Sequence, residues 1–187
     1  MHPTGRQRGF TLIEILVAIT VVAIVLSVAL LSINLVDNDR EVRTEGERLV
    51  ALIEAARDDA IFQGREFGIE MLRDGYRFVE YDPALGAWAE IPDEQTLKQW
   101  SLPEGLELSL VLENKTIELP REYAELKQDT RPGTTPNRYT PHLLIFSSGD
   151  LTPFRVHITR PFDRRVIGVE GDLLGNLELV DEDDSTA

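Results

Sequence analysis

One stretch, RGFTLIEILVAITVVAIVLSVALL at residues 8–31, constrains this chain more than any other part of it. Residues 10–36 contain no proline, no glycine and one ionisable side chain, Glu14. As an α-helix such a run is roughly 40 Å long, enough to cross a hydrocarbon core of about 30 Å. Lipid offers the backbone no other hydrogen-bond partners, so the many β-branched residues do not prevent a helix there. Arg6 and Arg8 stand before the run, and Asp37 and Asp39 follow it. That bias keeps the N-terminus in the cytoplasm and sends everything after Val36 across the membrane. A carboxylate inside such a segment is costly, so Glu14 needs a partner or a purpose.

The exported remainder is acidic. The 187 residues carry a net −14; Arg6 and Arg8 precede the run and Glu14 lies in it, so 17 basic and 32 acidic residues follow, a net −15. Such a body repels nucleic acid and anionic headgroups and suits basic partners. The length leaves room for one globular domain behind the helix. The chain has no cysteine, which excludes disulfides, a thiol nucleophile, thiolate zinc sites and a lipoprotein anchor. Packing alone must hold the domain together.

The N-terminus supports three readings. A plain signal anchor accounts only for the apolar length. A secretory signal peptide uses Ser27-Val28-Ala29 as its small-x-small cleavage site and releases a soluble chain from Leu30. The third reading accounts for more residues. A basic leader at residues 1–9 ends in Gly9; the aromatic Phe10 follows, and Glu14 stands at the fifth position after the glycine. The apolar run continues directly. In this RGFTLIE resembles the type IV prepilin signal. The resemblance implies that a prepilin peptidase cuts after Gly9 on the cytoplasmic side and N-methylates Phe10. It also implies an assembly role for Glu14, whose carboxylate meets the new ammonium of Phe10 on a neighbouring subunit in a staggered stack of helices. In an isolated subunit the alternative is that Glu14 snorkels to the interface. Many relatives of this type carry proline or glycine within the helix; this segment has neither, so local melting on extraction has no support in the sequence.

After Val36, Val42, Gly46, Leu49, Ile53, Ala56 and Ala60 recur at helical spacing. They predict an amphipathic half-helix to about residue 63, stopped by Gly64, with a break expected around Asp37 and Asp39. Beyond it the period becomes two. EFGIEML and YRFVEYD read as a hairpin turning at Gly75, and AWAEI as a further strand. GLELSLVLE points Leu106, Leu108, Leu110 and Leu112 one way, and TIELP pairs with it across Asn114-Lys115. Residues 123–141 read as a long exposed loop. HLLIFSSGDLTPFRVHITR reads as a hairpin turning near Ser148-Gly149-Asp150, and RRVIGVEGDLLGNLELV supplies the last two strands. The fold class is therefore α+β: a long N-terminal helix, transmembrane then amphipathic, packed on an antiparallel β-sheet or sandwich. The domains are the leader 1–9, the transmembrane and assembly helix 10–36, and the globular domain 37–187.

This is also the plan of pilins and pseudopilins. LIEAARDDAIFQGREFGIEM and FSSGDLTPFRVHI resemble the H-type minor pseudopilin of type II secretion, a domain shared with pilus subunits of the FimT type. The resemblance implies a single-pass inner-membrane protein with a periplasmic body, built in near the tip of a periplasmic pseudopilus. It implies as partners the prepilin peptidase, the other minor pseudopilins and the major pseudopilin, with the outer-membrane secretin or the cargo beyond them.

Other chemistry finds little in the residues. Ser147, Ser148, Asp150 and His157 fall in one hairpin without a nucleophile elbow, so no catalytic residue is expected. His142 and His157 lack metal-ligand spacing, the acids 181–184 lack the pattern of a calcium loop, and Gly168, Gly171 and Gly175 form no dinucleotide fingerprint; no metal or cofactor is expected. Trp88 and Trp100 read as core or edge residues. A FimT-type pilin that takes up DNA is the runner-up, resting on Arg155, Arg160, Arg164 and Arg165, and the net −15 argues against nucleic acid. A soluble periplasmic enzyme released at Ala29 comes third. Intact mass and the N-terminal peptide of protein from its native membrane separate these: a chain starting at N-methyl-Phe10 is expected, and one starting at Leu30 removes the filament reading.

Overall fold

The computed structural model describes residues 12–91, 96–121, 139–161 and 165–183, side chains excepted at 28–39 and 182–183. The chain divides into two units, Met1–Arg40 and Glu41–Ala187, and helix α1 (Leu12–Gln63) contributes to both. It is helical through Asp37 and Asp39, so the expected break is absent. Asp and Asn cost a helix only about 0.7 kcal/mol each relative to Ala, and no proline or glycine is there to add a real interruption.

In the first unit Leu12, Ile13, Leu16, Ile19 and their neighbours are exposed. The hydroxyls among them are satisfied within the helix: Thr20 Oγ1 donates to the Leu16 carbonyl and Ser27 Oγ to that of Ala23, both at 2.8 Å. Among the described residues no helix is long and apolar enough to cross a membrane. The described side chains of the apolar run stop at Ser27, and the rest of the expected segment 10–36 lies outside them.

In the second unit the expected stripe of α1 is the buried one. Val42, Leu49, Leu52, Ile53, Ala56 and Ala60 all join the core. Fully burying Leu49 and Ile53 stabilises the unit by about 1.5–3 kcal/mol each. The helix stops at Gly64, which has φ +66°, and the Arg65 N–H reaches back to the Ala60 carbonyl at 3.1 Å. That left-handed residue closes the helix without the Cβ strain another residue would carry.

Among the described residues ten strands follow in two antiparallel sheets. The first contains β1 (Phe67–Leu72), β2 (Gly75–Asp82), β3 (Ala87–Glu90), β4 (Trp100–Ser101) and β7 (Leu143–Ile145), in the order β3-β2-β1-β7 with β4 also on β2. The second contains β5 (Glu107–Leu112), β6 (Lys115–Ile117), β8 (Phe154–Thr159), β9 (Arg165–Gly171) and β10 (Leu177–Asp183), in the order β10-β9-β8-β5-β6. Its register aligns Leu110, Val156, Val169 and Leu179 in one row, with Leu108, Ile158 and Ile167 in the next. These rows face the core. Strand β10 is an edge whose sequence, LELVDED, carries four carboxylates.

Three further expectations are corrected. The β5–β6 turn is Glu113-Asn114, both at positive φ (50° and 61°), because Leu112 pairs with Lys115 and leaves a two-residue turn of the kind that matches strand twist. The segment HLLIFSSGDLTPFRVHITR turns where expected, with the Phe146 N–H on Asp150 O at 3.0 Å and the Gly149 N–H on Phe146 O at 2.9 Å. Its two arms then part: β7 pairs with β1 and β8 with β5 and β9, so the chain changes sheets at Thr152-Pro153. Pro153 lacks the N–H that a continuing ladder needs. Finally, of the expected exposed loop 123–141, residues 123–138 lie outside the described residues, and Tyr139 is buried rather than exposed.

Gly46 shows how closely helix and sheet approach. A Cβ there would lie 2.7 Å from Leu179 Cδ1 and 2.9 Å from Ile167 Cγ2. Gly46→Val is expected to destabilise the domain by about 1–3 kcal/mol, although valine is the better helix former. Thermal unfolding of the purified full-length protein followed by circular dichroism measures this, and an unchanged or raised midpoint would contradict it.

Candidate functional site

Of the residues expected to carry processing and assembly, Gly9 and Phe10 lie outside the described residues. Glu14 is described. It occupies the first turn of α1, with its side chain exposed. A carboxylate in that position is favoured by the helix dipole as well as by any external cation.

The globular unit brings together residues that the sequence pattern does not connect. All six residues of β1, FGIEML, are buried. Phe67, Ile69 and Met71 enter the core; alternation turns Gly68, Glu70 and Leu72 to the other face, which a strand normally gives to water. Residues 139–142 cover that face. Thr140 N–H donates to Glu70 Oε1 at 2.8 Å, and the Arg77 guanidinium pairs with Glu70 Oε2. Arg77 lies 4.5 Å over the Tyr139 ring, whose hydroxyl donates to Glu90 Oε1 at 2.6 Å. His142 closes the clamp twice: its N–H donates to the Ile69 carbonyl at 2.8 Å, and its Nδ1 accepts from the Met71 N–H at 3.0 Å. A Cβ on Gly68 would stand 2.5 Å from that of Pro141, so the covering segment sits directly on the strand.

Glu70 is wholly buried, so its charge is tolerable only because both oxygens are engaged. Burial lowers the His142 pKa from its ordinary 6.5, against an opposing pull from the Glu70 carboxylate. A neutral imidazole is what Nδ1 needs in order to accept the Met71 N–H.

A second cluster joins helix to sheet. Trp100 Nε1–H donates to Glu45 Oε2 at 2.8 Å, and the Arg48 guanidinium lies 3.4 Å from the centre of the indole. Tyr76 packs beside them, and burial pushes its phenol far above the ordinary range. The sequence does signal one member, since Glu45 lies next to Gly46 within the buried arc of α1. Nothing in the sequence indicates Trp100 as its partner. Trp88 makes an edge contact with Tyr81, ring centres 5.4 Å apart.

The residues weighed for other chemistry are engaged in structure. Arg155 pairs with Glu170 at 2.5 Å, Arg160 with Glu41, and Arg165 with Asp181 at 3.6 Å; Arg164 lies outside the described residues. Among the described residues these three arginines are thus each paired with an acid of the same domain, which counts against a strip for phosphates. Ser147 and Ser148 are exposed at a turn, where Ser148 Oγ donates to Asp150 Oδ2 at 2.8 Å. His157 lies on β8, 3.5 Å from Ser109 Oγ and well within the sheet. Among the described residues no group of three or more His, Asp or Glu is arranged to hold a metal. A shallow groove of about 370 Å³ along β5 and β6 offers Arg73 together with Glu107 and Glu118, opposing charges that attract no particular ligand.

Comparison with known proteins gives two family matches. Residues 4–30 match the prokaryotic N-terminal methylation motif, and residues 45–175 match the type II transport protein GspH. The chain is 34% identical over 167 residues to type II secretion system protein H of Pseudomonas aeruginosa, covering 89% of this chain and 91% of that protein. It is 27% identical over 181 residues to the protein of the same name from Aeromonas hydrophila, covering 96% of each. Its fold is that of the minor pseudopilin EpsH from the type II secretion system of Vibrio cholerae, with a TM-score of 0.58 and 22% identity over 75% of this chain and 94% of that one.

Two outcomes follow from the clamp. Glu70→Ala leaves Arg77 without its buried partner and is expected to cost about 3–5 kcal/mol in denaturant unfolding, with residues 139–142 losing hydrogen-exchange protection. For His142 the folded pKa lies below the unfolded 6.5, so the unfolded chain binds the proton more readily. Its contribution is complete above that value and is lost as pH falls through the lower folded one. The midpoint of thermal unfolding should drop on acidification below about 6.5, and His142→Asn should flatten that part of the curve.

Proposed function

The chain belongs to the GspH family of type II transport proteins, the minor pseudopilins, and from that premise we propose that it is a structural subunit near the tip of a periplasmic pseudopilus. One observation carries this reading: a prepilin-type methylation motif and a GspH domain occupy one chain, in the order that filament assembly requires. The segment 10–36 inserts in the inner membrane with its N-terminus in the cytoplasm, in accordance with Arg6 and Arg8 ahead of it. A prepilin peptidase cuts after Gly9 and methylates Phe10. The body is then periplasmic, and its partners are the other minor pseudopilins and the major pseudopilin, with the secretin or the cargo beyond the tip.

Glu14 supplies the electrostatic part of assembly. In hydrocarbon, an ammonium and a carboxylate each cost several kcal/mol alone and far less together. Pairing Glu14 of one subunit with the methylated Phe10 amine of another therefore selects the staggered arrangement. The neutralised arginines of the globular unit count against the nucleic-acid function of FimT-type pilins.

Deleting the gene should abolish export of enzymes through the type II system while leaving twitching intact; secretion unchanged with DNA uptake lost would reverse the reading. Glu14→Ala should insert and be cleaved normally, yet cross-link to the major subunit at about one tenth of the wild-type level, the loss expected for one ion pair in a poorly hydrated setting. Wild-type incorporation of that variant removes the pairing role.

A further inference from the structure

Among the described residues of the globular unit, five large apolar side chains are exposed, and four of them lie at one end: Phe62 (90%), Leu174 (72%), Leu173 (58%) and Ile61 (49%). The last turns of α1 meet two tight turns there, at residues 146–151 and 172–175. Arg57 Nη1 donates to the Gly175 carbonyl at 2.7 Å, and the Leu151 N–H donates to that of Leu173 at 3.2 Å. A Cβ on Gly149 would lie 3.0 Å from Ile61 Cδ1, and one on Gly175 would lie 2.6 Å from the Gly149 carbonyl oxygen. Two glycine turns thus press against the helix with little side chain between them. Ile61 meets this junction from the helix, and Leu173-Leu174 lie in the second of its two turns. Phe62 follows Ile61 on the final helical turn, one turn above Asp58, and is exposed at the same end of the helix.

Burying a side chain of this kind is worth about 1.5–3 kcal/mol, and clusters of such residues at the centre of an interface carry most of its affinity. Four together exceed the scattered apolar exposure of an ordinary surface. The border of the cluster is acidic. Asp58 and Asp172 are exposed and Asp150 is half-buried, while the nearby cation, Arg57, is turned inward to the Gly175 carbonyl. Hydrogen bonds from Asn176 hold the Asp172 carboxyl below its usual pKa, so it stays ionised in any near-neutral compartment.

We propose that this end of the domain is a docking surface for a different protein, one that presents an apolar patch bordered by lysine and arginine. A second copy of this chain brings the same acidic border and is repelled, as is an anionic membrane surface. The surface is defined by the globular unit alone, so the assignment stands or falls separately from the filament reading above.

The test uses the full-length chain in its native cells, with photoreactive benzoylphenylalanine replacing Leu174 and, as a control at an exposed apolar position elsewhere, replacing Leu85. Light is expected to join position 174 to a different protein, at a peptide with apolar residues flanked by lysine or arginine. The yield should be roughly tenfold above that from position 85 and should fall by about as much with Phe62→Asp, and severalfold with Asp58→Lys. Both substitutions are on exposed helical positions, and equal abundance on immunoblots shows that folding is kept. Adducts to a second copy, to lipid, to the chain's own residues or to a protein segment without basic residues overturn the proposal, as does a yield no higher than at position 85. Normal secretion alongside the expected adduct would count against the filament role and leave the docking surface standing.

Discussion

The packing of residues 42–60 of α1 against both sheets is the interaction on which the domain depends. Gly46 lets the second sheet approach until Ile167 and Leu179 fill the space a side chain would need. One residue away, Glu45 holds the indole of Trp100 at the margin of the first sheet. A chain without cysteine has no covalent tie between its layers, and neither sheet alone has a second apolar surface to bury its inner rows. The helix supplies that surface. Its narrow stripe passes from the large Leu49 and Ile53 to the small Ala56 and Ala60, and all four join the one core that the strands of both sheets share.

The clamp over β1 serves a different end. A buried Glu70–Arg77 pair adds little net stability compared with well-packed apolar side chains, because both ions must first be stripped of water. What it adds is position. Thr140, Pro141 and His142 can lie on β1 in one register, the one that gives Glu70 a backbone donor and Met71 an imidazole acceptor. A slip of one residue leaves a wholly buried carboxylate without its Thr140 donor, at a cost larger than most loops can absorb. The segment that follows residues 122–138 is thus returned to the sheet at a fixed point, and β7 pairs from there.

Much of this was legible because local patterns and tertiary environment agree. The stripe on α1, the left-handed Gly64 and the Leu106–Leu110 alternation each reflect one element meeting one neighbour. Glu70 was not legible, since a lone acid on the second face of a strand looks like a solvent residue until something remote covers it. The parting of β7 from β8 was hidden for a related reason: the turn at Ser148-Gly149-Asp150 has ordinary hairpin chemistry, and only the partners of each arm show that they belong to different sheets. The cluster around Phe62 and Leu174 is dispersed over more than a hundred residues of sequence, and only folding assembles it. The methylation motif at residues 4–30 is the opposite case, a linear signal that is read without any fold.

The acidic outer strand of the second sheet has a consequence for how such a subunit associates. Among the described residues strand β10 is the outer strand of its sheet, and an outer strand is a ready template on which another chain could polymerise. Its sequence, LELVDED, is rich in carboxylates, and like charges brought together disfavour such an edge-to-edge copy. Pairing along this edge is therefore disfavoured, and association is left to side-chain surfaces. That kind of contact is reversible. A strand exchanged into a growing sheet is far harder to take apart.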